Sequence, residues 1–194
     1  VTSENTRQSY AQMAARFFDK QPPRIAAITG TNGKTSVVSF VRQIWEILGS
    51  KAASLGTLGI VAPGFQTSEG LTTPDPGDLH ESLAVLWKRG VETLAMEASS
   101  HGLDQYRLDG VNVSMAGFTN LSRDHLDYHG SMEKYLDAKK RLFSEILPVD
   151  GVSVLNADSE VYLILVEAAR GRIISYGRKG KDIRLDDLQV FEDG

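Results

Sequence analysis

From Arg24 onward the chain alternates short apolar runs with amphipathic stretches of helical period. Arg24 to Thr29 predicts a buried strand. Lys34 to Leu48 predicts a helix with Val37, Val41, Ile44, Trp45 and Leu48 on one stripe. Lys51 to Ile60 reads as extended, Gly77 to Lys88 as helix, Val91 to Glu97 and Val111 to Thr119 as strands. Met132 to Ile146 has the spacing of a single helix. Beyond it come a strand over Gly151 to Asn156, a helix over Ser159 to Ala169 and a strand over Arg172 to Tyr176. Asp182 to Phe191 reads as a further strand. Strands regularly separated by helices predict an α/β fold, a mainly parallel sheet with helices on both faces and function at the C-terminal ends of the strands. The segment Ala62 to Pro76 lacks a clear period and is expected to be a long loop, either a binding loop or a merely mobile one.

Before the first strand, Tyr10, Met13, Ala14, Phe17 and Phe18 recur at helical spacing until Gln21-Pro22-Pro23 stops them. Residues 1–23 are therefore read as a linker helix and 24–194 as one central domain. The first residue is Val1, so a piece cut from a longer protein is expected. With 21 Lys and Arg against 25 Asp and Glu, the net charge of -4 offers no field for a polyanion, and nucleic acid is not an expected partner. The absence of cysteine removes disulfides, thiolate metal sites and a cysteine nucleophile, leaving oxygen and nitrogen donors suited to magnesium. No apolar run approaches the roughly 20 residues of a membrane span. A soluble, cytoplasmic, monomeric protein without membrane insertion is expected.

Candidate chemistry clusters at the strand ends. The first strand runs into Gly30-Thr31-Asn32-Gly33-Lys34-Thr35-Ser36 and then into a helix, the order a polyphosphate needs. Glycines let backbone N–H groups turn inward, and the helix N-terminus adds positive potential. Lys34 would neutralise outer phosphates and Thr35 would ligate magnesium. The common pattern places four residues between its glycines, whereas two separate Gly30 from Gly33, and Ile28 stands at the older position. Glu97 closes the strand Val91 to Glu97, either as a magnesium ligand or as a solvated strand end. Asp124, His125, Asp127 and His129 crowd into six residues, more than a turn requires. On the next helix Lys139 lies on the apolar stripe of Met132, Tyr135, Leu136, Leu142, Phe143 and Ile146, while Lys140 and Arg141 are expected to face away. A buried-face lysine either snorkels or loses its charge. A neutral amine can add carbon dioxide and become a carbamate with a carboxylate's ligating oxygens.

These motifs resemble the Mur ligase family, and within it the MurE-type UDP-N-acetylmuramoyl-tripeptide synthetases. The residues that carry the likeness are the Gly30 to Ser36 loop, Leu71-Thr72-Thr73-Pro74-Asp75-Pro76, Met96 to Leu103, and Asn120 through Lys139. Folylpolyglutamate synthetases share the short loop but usually place Gly where this chain has Thr35. The resemblance implies the central ATP-binding domain of a ligase that activates the D-glutamate carboxylate of UDP-MurNAc-L-Ala-D-Glu as an acyl phosphate. A diamino acid, meso-diaminopimelate or L-lysine, would then be joined to it. It further implies that Gly30 to Ser36 bind ATP phosphates, that Thr35, Glu97, His125 and a carbamylated Lys139 hold magnesium, and that Asn156 lies near the adenine. Thr72, Thr73, Ser99, Gln105 and Arg107 would contact the acceptor; His101, Asp124 and His129 are second-tier candidates. A small-molecule phosphotransferase with a phosphate loop and a non-catalytic nucleotide-binding module remain as alternatives.

Overall fold

After its first residue the segment Arg24–Thr29 carries only apolar or small side chains, and in a computed structural model of the protein it forms β1, a strand covered on both faces. The described residues are 3–68 and 70–187. Before β1 lies helix α1 (Thr6–Phe18), and after it come α2 (Lys34–Ile47), β2 (Ala52–Gly56), β3 (Gly59–Ala62) and β4 (Phe65–Gln66). The chain continues through α3 (Pro76–Lys88), β5 (Thr93–Glu97), α4 (Ser100–Asp104), β6 (Val113–Phe118), α5 (Leu126–His129) and α6 (Met132–Arg141). A π-helical turn (Leu142–Ile146), β7 (Val152–Asn156), α7 (Tyr162–Ala168), β8 (Arg172–Gly177) and β9 (Ile183–Arg184) complete it.

Among the described residues the strands form one nine-stranded sheet in the order β4-β3-β2-β5-β1-β6-β7-β8-β9. It is parallel from β2 to β9, as expected, and antiparallel only where β2, β3 and β4 meet. The chain returns from β5 on one side of β1 to β6 on the other. That reversal opens a crevice beyond the C-terminal ends of the strands, where ligands of such sheets bind. Ile25, Ala27, Leu94, Met96, Ala116 and Phe118 pack beneath α3 and the α6 region into the main core. Ile28 and Ala95 point the other way, against Val38 of α2.

Several expectations require correction. Lys51 to Ile60 is no single extended run: the chain turns at Thr57–Leu58 and returns as β3. The Ala62 to Pro76 segment contains β4, which pairs with β3, and ends as Pro76 opens α3 at a first-turn position that spares a donor. The helix expected over Met132 to Ile146 changes to π geometry at Leu142. In α2 the expected stripe is buried only in part, with Ile44 54 % and Leu48 74 % exposed. The remaining members, Val37, Val41 and Trp45, border an apolar groove of about 370 Å³ over Met115, Val154 and Tyr176. In α1 the buried seam is Ala11 and Ala14, while Tyr10, Met13 and Phe17 stay outside. The small residues let α1 lie close on α3. Of the strand expected over Asp182 to Phe191, Ile183–Arg184 pairs with β8 and residues from 188 onward lie outside the described residues.

Leu83 lies fully inside the main core, so Leu83→Ala should cost about 2–5 kcal/mol, whereas Ile44→Ala should cost less than about 1 kcal/mol. Urea denaturation of both variants checks the difference, and equal losses would contradict this division of the faces.

Candidate functional site

The turn after β1 forms because Gly30 takes a φ of 141°, and a Cβ there would lie 1.9 Å from Thr119 Oγ1. β1 thus runs through Ile28 in full sheet geometry before the chain turns, which accounts for the shortened loop. Asn120 after β6 braces the loop: its carbonyl accepts from Thr31 N at 2.9 Å and its side-chain oxygen from Asn32 N at 3.0 Å. Thr31 is buried, with its hydroxyl accepting from Ser122 N and 3.2 Å from Tyr135 OH. The Thr31 and Asn32 amides are therefore engaged in shaping the loop. The orphan N–H groups at the start of α2, from Gly33 through Ser36, are the donors a phosphate would meet.

Two amines converge on one oxygen. Lys34 Nζ donates to Gly30 O at 2.9 Å and to Thr31 O at 2.8 Å, and Lys139 Nζ donates to the same Gly30 O at 3.0 Å. Lys139 is only 1 % exposed and its amine sits 4.3 Å from the centre of the Tyr135 ring. The alternative of snorkelling to water is excluded by that burial. Loss of solvation, with the Lys34 charge adding to it, pushes the Lys139 amine down to about 7 despite the opposing Asp124 carboxylate. Burial also lowers Lys34, against the attraction of Glu97 and Asp124.

Glu97 is not a solvated strand end, being 1 % exposed. Its Oε1 accepts from Thr57 N at 2.9 Å and fills the space that a Cβ on Gly56 would need, 2.2 Å away. His125 takes a left-handed φ of 51° with its amide on Asp124 Oδ1 at 2.9 Å, which turns its half-exposed ring 4.8 Å from that of His101. Burial is the first cause that lowers the pKa of His101 and of His129, and neighbouring cations add to it. The Nε2 of buried His129 has no hydrogen-bond partner among the described residues.

The expected acceptor contacts form a connected network. Thr73 Oγ1 donates to Glu97 O at 3.0 Å and accepts from Ser99 N at 3.0 Å; Arg107 Nη1 donates to Thr73 O at 2.8 Å. The Thr73 hydroxyl is thereby committed to the protein. Gln105 bridges Arg107, at 2.7 Å from Nη2, and Tyr128 OH, at 3.0 Å. A cavity of about 310 Å³ joins Lys34, Lys139 and His125 to Thr72, Ser99 and Arg107. Asn156 stands apart, donating to Thr119 O at 2.8 Å and bordering a second cavity of about 670 Å³ that begins at Asn120. Both functions of its amide are used, the oxygen accepting from Asp158 N at 2.9 Å.

Arg141 does not face away. Its side chain is 11 % exposed and ion-pairs with buried Asp109 at 3.1 Å, because the segment after α4 folds over that side of α6. Three residues given no role from sequence also shape the site: Tyr135 between Lys139 and Thr31, Thr57 on Glu97, and Asn120 on the loop. Tyr135 could have been found from its position one turn before Lys139 on the same helix face.

Among the described residues no group of three or more His, Asp and Glu could hold a metal by itself. One buried carboxylate, one hydroxyl and a histidine are the sparse set expected when phosphate oxygens and water complete a magnesium shell, and in that sense the donors fit.

A glycine turn and helix N-terminus at the switch point of a parallel sheet, with paired lysines at its mouth, define a phosphate-loop α/β domain. Residues 28–194 match the family model of the Mur ligase middle domain, and the chain belongs to that family. It is 52 % identical over 98 % of its length to a UDP-N-acetylmuramoyl-L-alanyl-D-glutamate–2,6-diaminopimelate ligase of Bradyrhizobium diazoefficiens. The ligase of that name from Caulobacter vibrioides is 54 % identical over 95 % of the chain. The chain spans 41 % and 40 % of those relatives. A solved structure of a ligase with the same name superposes with a TM-score of 0.83 at 33 % identity, over 94 % of this chain and 38 % of that one. The MurF ligase of Thermotoga maritima in complex with ADP shares the fold, with a TM-score of 0.64 at 17 % identity over 99 % of this chain and 41 % of its own.

The buried amine predicts a pH dependence of known sign. Between about 7 and the ordinary lysine value of 10.5 the unfolded chain holds a proton that the folded chain has shed. Stability should therefore rise with pH across that window, by up to about 1.4 kcal/mol per unit. Below it both states are protonated and the cost of burying the cation is fully felt. Urea denaturation at pH 7 and 8.5 in carbon-dioxide-free buffer should show the native chain gaining about 1–2 kcal/mol relative to Lys139→Met; parallel behaviour of the two would contradict a buried, readily neutralised amine.

Proposed function

We propose that the chain is the ATP-binding portion of a cytoplasmic, monomeric ligase that joins a diamino acid to UDP-MurNAc-L-Ala-D-Glu through an acyl phosphate. The observation that carries this reading is the convergence of the Lys34 and Lys139 amines on Gly30 O, in one cavity with Ser99 and Arg107. A phosphate-loop phosphotransferase needs only the loop and an acid. The buried second lysine and the acceptor network beside it favour a ligase over that alternative and over a non-catalytic module. The names of the relatives make 2,6-diaminopimelate, rather than L-lysine, the diamino acid proposed.

The chemistry requires a carboxylate to attack a triphosphate, so two anions must meet. Lys34, released from the loop carbonyls, would screen the transferring phosphoryl group, and the first-turn amides of α2 would hold the remaining oxygens. Magnesium, when bound with the nucleotide, supplies further charge neutralisation; Thr35, Glu97, His125 and a carbamylated Lys139 would hold it. The depressed pKa of Lys139 supports the carbamate, because only a neutral amine adds carbon dioxide. Arg107, Ser99, Thr72, Gln105 and the backbone of Thr73 would orient the acceptor carboxylate, a contribution of position rather than of charge transfer. Its oxygen takes the γ-phosphoryl group and releases ADP. The diamino acid's amine then attacks the acyl carbon and expels phosphate as the amine proton is lost. Asn156 and the cavity beyond Asn120 form the proposed adenine side.

In the complete ligase, Lys139→Ala should lower amide formation at least a hundredfold, with partial recovery by millimolar short-chain carboxylic acids that replace the carbamate oxygens. Following ADP release with and without the acid checks this; unaltered turnover in the variant would remove Lys139 from the site. A stable phosphorylated product in place of an amide would favour the phosphotransferase.

A further inference from the structure

We infer that Arg141 is a positioning residue for the acceptor side of the site, acting through Tyr106 on the Gln105–Arg107 turn. The inference rests on the ligase reading above and names a residue which that reading does not use. Arg141 ends α6, two residues after Lys139, and its guanidinium turns toward the segment that follows α4. There it donates to Leu103 O and to both carboxylate oxygens of Asp109, at 3.2 and 3.1 Å, and stacks 3.9 Å above the Tyr106 ring. Its remaining donor, Nε, meets Glu145 at 2.7 Å.

Tyr106 occupies a left-handed conformation, φ 60°, which a residue with a bulky side chain adopts only when its surroundings impose it. The residues on either side of it, Gln105 and Arg107, are two of the five proposed acceptor contacts. Gln105 and Arg107 are drawn together by that conformation, with Gln105 Oε1 accepting from Arg107 Nε at 3.1 Å and Nη2 at 2.7 Å. Arg107 then reaches Thr73 O. The guanidinium thus clamps the turn from above by its face and from both ends by its edges, at Leu103 before it and Asp109 after it. Helix α6 does not depend on the clamp to the same degree, because Tyr135, Ala138 and Leu142 seat it in the interior. Removing the guanidinium should loosen the acceptor turn and leave the phosphate loop in place. A lysine offers one point charge and no planar fork, so it cannot make the same set of contacts.

The test uses the complete ligase carrying Arg141→Lys, Arg141→Ala or, as a control, Glu145→Gln, which removes only the charge of the solvent-side partner. For both Arg141 variants the KM for UDP-MurNAc-L-Ala-D-Glu should rise about tenfold, with the KM for ATP within twofold of the parent. Millimolar guanidinium should restore much of the loss in Arg141→Ala, and Glu145→Gln should match the parent. Hydrogen exchange read by mass spectrometry should quicken in residues 103–110 and stay constant in 30–36. An unchanged acceptor KM, or equal rises for ATP and acceptor without guanidinium rescue, would overturn the inference. If the parent ligase forms no amide from these substrates, the functional reading fails on its own. In that case the exchange pattern decides the role of Arg141: quickening confined to 103–110 upholds the clamp, and its absence removes it.

Discussion

A single carbonyl oxygen, that of Gly30, receives the amines of Lys34 and Lys139, and the site is organised around that crowding. Burial and the nearness of each amine to the other both weigh against charge, most of all at Lys139, whose amine is pushed down to about 7. Lys139 is held there because α6 is seated by its core residues and the side chain is buried, whereas Lys34, at the first turn of α2, is the one that can leave the loop carbonyls. A dense negative charge entering between β1 and β6 would favour the charged form of Lys34, while the same burial keeps the Lys139 amine readily neutralised. Loop, buried amine and acid each have an ordinary explanation in isolation. Their convergence beyond the C-terminal edge of a parallel sheet is what the ordinary explanations do not supply.

The local part of this arrangement was legible in the sequence. A strand, two glycines, Lys34-Thr35 and an amphipathic helix are adjacent along the chain, so spacing alone ordered them, and the periodicity of α6 placed Lys139 on a buried face. The same reasoning missed whatever depends on residues distant in sequence. Lys51 to Ile60 reads as one extended run because the turn at Thr57–Leu58 interrupts neither apolar character nor extended propensity for long. Arg141 reads as facing solvent because a helical wheel cannot show that residues 103–109 wrap around the far side of α6. Within the loop that the resemblance implies for phosphate, the braces on the Thr31 and Asn32 amides come from Asn120, far along the chain, and no spacing shows them.

The exposed part of the α2 stripe and the apolar groove over Met115 and Val154 belong to the face opposite the main core. Among the described residues α2 is the helix that packs on that face, against β2, β5 and β1. The two faces therefore differ: one is thickly covered and fixes the sheet, while the other carries the helix whose first turn opens the phosphate loop. Ile28, Ala95 and Val38 form the buried centre of that contact, with Val37, Val41 and Trp45 of α2 packed around it.

The parallel connections also govern how the chain reaches its native form. Asn32 meets its brace across 88 residues, and Lys139 meets Gly30 across 109. Contacts of such separation reward the chain only after a large loss of freedom, which slows productive collapse. During synthesis at about 5–20 residues per second, β1 must wait roughly 5–20 seconds for β6 and α6 to emerge. Over that interval the edge of β1 that later takes β6 has no strand to pair with, and an unpaired apolar strand edge is a template for aggregation.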